Sequence, residues 1–175
     1  MAQRIPVRSQ LTVQKSEVVV EEGMVTAMHP LAAAAGVEIL QAGGNAADAA
    51  AATAFAVGVV EPFMSGLGGA AYALVHERSS GRTVALDGSV TLPAGAQPDM
   101  FELLPAGSVG EGVYHWRATR DGASESGYRS VAVPGMVATC TRLVQDYGRL
   151  PLRRVVEPAV RLASDGFPID WYIFA

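Results

Sequence analysis

GMVTAMHPLAAAAGVEILQAGGNAADAAAATAFAVGVVEPFMSGLGGAAYALV, Gly23 to Val75, decides the fold class. Pro30 suits the first turn of a helix, where its missing N–H costs nothing. Leu31, Ala34 and Val37 continue at helical spacing, and Gly43-Gly44 ends the run. Asn45 is placed to cap a second helix, Ala46 to Val60, with Asp48 at its third position favourable to the helix dipole. That helix is almost all small residues, so neighbouring backbones can approach closely and burial on most sides is expected. Ser65-Gly66-Leu67-Gly68-Gly69 then leads as a loop into a strand at Ala70–Glu77.

Upstream, Val18–Val20 and Met24–Ala27 read as a hairpin turning at Glu21-Glu22-Gly23. Residues 1–22 are accordingly an N-terminal extension and first strand, and 23–175 one domain. Downstream, Thr83–Asp87 pairs with Ala70–Glu77 through a turn at Arg78–Arg82. Leu92 to about Tyr128 is rich in proline, glycine and polar residues and reads as loop, with a short helix near Asp99–Leu104. Val131–Val133 reads as a short strand. Pro134-Gly135 opens a helix that closes at Gly148, and Pro151 to Ser164 forms another that closes at Gly166. The C-terminal run Ile169–Ala175, with Trp171, Tyr172 and Phe174, would leave a large apolar patch in water unless further polypeptide covers it.

With 175 residues, half of them hydrophobic and 17% charged, the chain reads as globular rather than disordered. A net charge of −4 with scattered cations gives no face for nucleic acid. The longest small-apolar run is too short to span a bilayer. The N-terminus lacks the apolar core of a secretory signal, so the expectation is a cytoplasmic protein unless a leader has been removed. One cysteine excludes an internal disulfide framework, and three histidines without ligand spacing give no metal site. No cofactor is expected.

Candidate chemistry is sparse. The glycine loop at 65–69 follows a helix and precedes a strand, the reverse of a phosphate cradle, which leaves close backbone packing or contact with a ligand through glycine amides. His29 reads as a cap or packed side chain sooner than as a base, since a base needs a positioned partner. Cys140 lies mid-helix as a core thiol. Ser89, after Asp87 and Gly88 at a strand end, is either a turn residue or a pocket residue. No nucleophile–base pair is identifiable.

Four segments nevertheless resemble, in collinear order, the N-terminal part of the gamma-glutamyltranspeptidase family of N-terminal-nucleophile hydrolases. They are His29–Ala52, Gly58–Val75, Ala85–Phe101 and Val131–Ile169, which carry GGNAADAA, SGLGG and the PG…YG.LP…DGF pattern. The resemblance implies an α+β fold that is part of a four-layer α-β-β-α sandwich, incomplete in this chain. It implies a proenzyme that cuts itself into large and small subunits and uses the new N-terminal threonine as nucleophile, with its α-amine as base. An α-amine of pKa about 7.7–8.0 serves that role without a histidine. That threonine and the family's oxyanion glycines belong to sequence after Ala175, so no catalytic residue is assigned here and this chain alone is expected to be inactive. Its implied partners are a small amide substrate, γ-glutamyl or a related acyl amide, and the small subunit of the same precursor.

The resemblance also implies substrate-binding positions at Ser89, Val90, Gly68 and Gly69. Typical relatives carry arginine where this chain has Ser89, and glutamate where it has Val90. The arginine grips a substrate carboxylate. Its loss is expected to cost an anionic substrate about 2–5 kcal/mol. Gly68-Gly69 is followed by Ala70-Ala71 where many relatives continue with glycine. An acylase or amidohydrolase acting on a non-glutamyl substrate, and a non-catalytic ligand-binding chain, are the alternative readings.

Overall fold

A computed structural model describes residues 16–110 and 114–169. The order is α1 (Pro30–Gln41), α2 (Ala46–Val60), β1 (Ala71–Glu77), β2 (Arg82–Gly88), a short 3-10 turn at Arg120–Gly122, α3 (Met136–Tyr147) and α4 (Leu152–Asp165). The architecture is mixed helix and strand, with α3 packed on the β1–β2 hairpin and α2 packed against α1, α3 and α4.

α1 begins as its sequence requires, with Pro30 in the first turn and the His29 imidazole accepting from the Leu31 amide. Gly43, at φ +91°, supplies the left-handed residue after it. α2 opens with a complete capping box: the Asn45 side chain accepts from the Ala47 and Asp48 amides, and Asp48 accepts from the Asn45 amide. Its small residues are buried on nearly every side, and Ala51, Ala52 and Ala56 are fully covered. A Cβ at Gly36 would collide with Thr53 Oγ1, so glycine there lets α1 and α2 pack closely. Ile39, Phe55, Val60, Met136, Leu143, Val144 and Val155 fill the core where the helices meet. Cys140 lies in that core, and burial pushes its thiol up to about 11.

β1 and β2 pair antiparallel, Ala71 opposite Gly88 and Glu77 opposite Arg82. The inner positions Ala71, Ala73, Val75 and Leu86 pack on the core. The outer face leaves Tyr72 and Leu74 71% and 80% exposed.

Three sequence expectations fail. Val18–Val20 and Met24–Ala27 form no hairpin and no strand. Instead the valines at 18–20 stand in solvent, and the chain from Val25 to Met28 keeps a strand's alternation while its inward side chains rest on the helices. Val25 packs against Gly36, and Ala27 against the core. One side of this extended segment is covered, yet it has no strand partner among the described residues. The segment Asp99–Leu104 is turn rather than helix, held by pairing of Leu103 with Thr119 and by Arg120 bonded to Glu102. Val131–Val133 contributes only one bridge, Val133 with Thr91. The expected apolar patch at Trp171–Phe174 lies outside the described residues, as does the N-terminal extension before residue 16.

Candidate substrate-facing site

Three glycines bring the site together. The Gly69 carbonyl accepts from the amides of Gly135 and Met136 at 3.1 and 3.0 Å, so the glycine loop occupies the first donors of α3. Gly135 lies against the Gly88 and Ser89 carbonyls so closely that a Cβ there would overlap them. Gly88 in turn sits beneath Thr139, whose hydroxyl donates to the Gly135 carbonyl at 2.9 Å. The loop at 65–69, the end of β2 and the start of α3 therefore meet backbone to backbone.

Of the two sequence readings of the glycine loop, close packing describes Gly69, whose carbonyl is spent inside the protein and whose amide points back to Gly66 at 3.4 Å. Gly68 is exposed, with open space where a side chain would be. Both glycines line a cleft of about 600 Å³ whose walls include Val57, Phe63, Ser65, Ala71 and Met136. Ser89 and Val90 lie outside that lining, one step away through the Gly88–Gly135–Gly69 contact. Val90 is 45% exposed.

Ser89 is both a turn residue and a surface residue. Its amide donates to Asp87 Oδ1 at 2.9 Å, closing a tight turn, and its hydroxyl donates to the same oxygen at 2.7 Å. Those two bonds hold the Asp87 carboxyl below its ordinary pKa. Tyr72, directly across the ladder from Asp87, places its hydroxyl 2.8 Å from Ser89 Oγ. Sequence reasoning missed Tyr72. Its position opposite Asp87 follows from the hairpin register, which the turn at Arg78–Arg82 specifies.

His29 is a cap: Nδ1 accepts the Leu31 amide, and the ring meets Phe167 edge-on at 6.3 Å. Among the described residues, no group of three or more His, Cys, Asp or Glu side chains is placed to hold a metal ion, and no helix is long and apolar enough to cross a membrane.

Asp48 is the second residue that local sequence undervalued. It is fully buried and accepts from the Asn45 amide at 2.9 Å and the Arg149 amide at 2.8 Å, with a longer contact to the Leu150 amide at 3.4 Å. Asn45 Nδ2 donates to the Tyr147 carbonyl at 2.6 Å. A Cβ at Gly148 would strike Asp48. The start of α2 is thus tied to the turn between α3 and α4, and so to the helix that carries the Gly135 contact.

The family model described as gamma-glutamyltranspeptidase matches residues 32–175. The chain belongs to this family. Among curated relatives of this gamma-glutamyltranspeptidase-family chain, the acylase ACY 1 proenzyme of Pseudomonas sp. (strain V22) is 41% identical over 97% of the chain and 29% of the relative. The glutathione hydrolase proenzyme of Bacillus subtilis (strain 168) is 37% identical over 86% of the chain and 24% of its own length. Among solved structures, the Helicobacter pylori gamma-glutamyltranspeptidase superposes with a TM-score of 0.76 at 32% identity, covering 90% of this chain and 42% of that one. A cephalosporin acylase from Bacillus halodurans gives the same TM-score and identity, covering 98% and 29%. The family chain therefore spans under a third of the length of these curated relatives.

Proposed function

We propose that these residues are the N-terminal portion of the large subunit of an autoprocessing amidase, which cleaves or transfers an acyl group from an amide. The nucleophile in this reading is an N-terminal threonine generated beyond residue 175. The observation that carries it is the family match over residues 32–175, nearly the whole chain. In the complete protein the helices and the β1–β2 sheet form one half of an α-β-β-α sandwich. The outer sheet face bearing Tyr72 and Leu74 packs on the second sheet. Gly68, Gly69, Ser89 and Val90 belong to the wall that the acyl group meets.

The acyl group is γ-glutamyl-like in the first reading. A non-glutamyl acyl group, as in an acylase, is the second, and the geometry at Ser89 favours it: a hydroxyl committed to Asp87 replaces a guanidinium. The test is kcat/KM of the full-length protein on γ-glutamyl-p-nitroanilide, with and without Ser89→Arg. The substitution is expected to raise kcat/KM at least about tenfold, because a charge-assisted contact to a carboxylate contributes about 2 kcal/mol or more. An unchanged value removes position 89 from the carboxylate contact.

A further inference from the structure

Gly23 to Met28 is extended and sided like a strand, with Val25 and Ala27 half-buried and Met24, Thr26 and Met28 facing outward. It lies along the junction of α1 and α2: Gly23 approaches Leu40, Val25 and Thr53 both close on Gly36, and Ala27 joins the core. Among the described residues its main-chain N–H and C=O groups make no hydrogen bond. Beside it runs an open groove of about 810 Å³ floored by α2, through Ala46, Ala50, Ala54 and Val57. Past Met64 and Ser65 the groove continues into the cleft at Gly68–Ala71, where β1 starts. β1 is paired with β2 alone among the described residues, and that two-stranded sheet rests on α3. The α2 floor thus lies open between an unpaired extended segment and the start of a strand.

We propose that this groove receives a β-strand from the part of the precursor beyond residue 175, which pairs with Met24–Met28 and lies across Ala50 and Ala54. A row of unpaired donors and acceptors on extended backbone is the template to which another strand adds, and a small ligand cannot match its spacing. The incoming strand carries large apolar side chains at alternate positions facing α2, because the alanines of the floor supply no bulk of their own. This chain spans 29% of its acylase relative's length, and a precursor of that size holds such a strand. A second copy of this chain does not fit. Its Val25 and Ala27 are already seated on its own helices, whereas the groove needs a strand whose inward side chains are free. The inference rests on the reading that these residues belong to a longer precursor, and it names where the rest of that precursor is received.

Hydrogen exchange resolved to single amides in the full-length protein tests the pairing. Alternate amides between Met24 and Met28 are expected to exchange at least about a hundredfold more slowly than unpaired chain. Exchange of every one of them at the unpaired rate overturns the proposal. Photo-methionine, close in shape to methionine, identifies the occupant, since Met24, Met28 and Met64 all line the groove. Cross-links from them to residues beyond 175 of the same precursor are expected; cross-links to a second copy, or only within residues 1–175, overturn it. Ala50, exposed on the floor, gives a third readout. On a helix face open to water leucine is the better helix former, so Ala50→Leu would be milder than Ala50→Ser. Beneath a seated strand the order reverses, and Ala50→Leu lowers Tm by at least about 2 °C more than Ala50→Ser. The helix-propensity order overturns the proposal. Unprotected amides in a protein that is cut and active would refute the strand and leave the amidase reading intact. Protected amides in a full-length protein that is never cut and turns over no acyl amide would keep the strand and refute the amidase.

Discussion

Asp48→Ala is expected to destabilise the full-length protein by about 3 kcal/mol or more, since each buried main-chain donor left without an acceptor costs about 1–3 kcal/mol. The alanine abandons the Asn45 and Arg149 amides, and with them the longer contact to Leu150. Asp48→Asn should recover a good part of the loss, because one oxygen, Oδ2, accepts both the Asn45 and the Arg149 amides and an amide oxygen can take its place. Its NH2 group would face only the longer Leu150 contact. Urea denaturation with a common slope measures both variants. A loss under about 1 kcal/mol for each would show that the α2 start and the turn after α3 hold together without this carboxylate. Because α3 carries the Gly135 contact to Gly69 and Gly88, partial loosening at Asp48 should also lower activity at temperatures where the protein remains folded.

Gly88→Ala is the second large effect, at about 2–3 kcal/mol. The new methyl would overlap Thr139 Oγ1 and lie 2.7 Å from the Ala71 carbonyl, its ladder partner's own backbone. The hydroxyl can be removed and the carbonyl cannot. Thr139→Ala in the Gly88→Ala background is therefore expected to restore part of the loss, roughly half, giving a coupling measurable in a double-mutant cycle. Full additivity of the two substitutions would mean that Gly88 and Thr139 do not share the space assigned to them.

These two positions also mark where sequence reading stopped. Helix ends were legible because their signals are local: Pro30 in the first turn of α1, Asn45 with Asp48 at α2, Gly148 after α3 and Gly166 after α4. The β1–β2 hairpin is legible from two strand-like runs and the turn between them. Asp48, however, was readable only as a residue favourable to the helix dipole. Its contacts to Arg149 and Leu150 lie about a hundred residues away and leave no periodic trace. Tyr72 has an ordinary strand position until register sets it opposite Asp87. Val18–Ala27 misled in the other direction. Two apolar runs around Glu21-Glu22-Gly23 have the composition of a hairpin, but among the described residues they make no strand pairing. The family resemblance carried the candidate site further than local spacing could, because Ser89 is informative only by contrast with the arginine of its relatives.

In the function proposed here, this polypeptide is substrate wall and framework for a hydroxyl released elsewhere in the same precursor. Intact-mass spectrometry of the purified full-length protein, with N-terminal sequencing of each species, tests it most directly. Two chains are expected, the longer containing residues 32–175 and the shorter beginning with threonine, with acyl-amide turnover appearing as the precursor disappears. A single uncut chain that turns over acyl amides at full rate would contradict it.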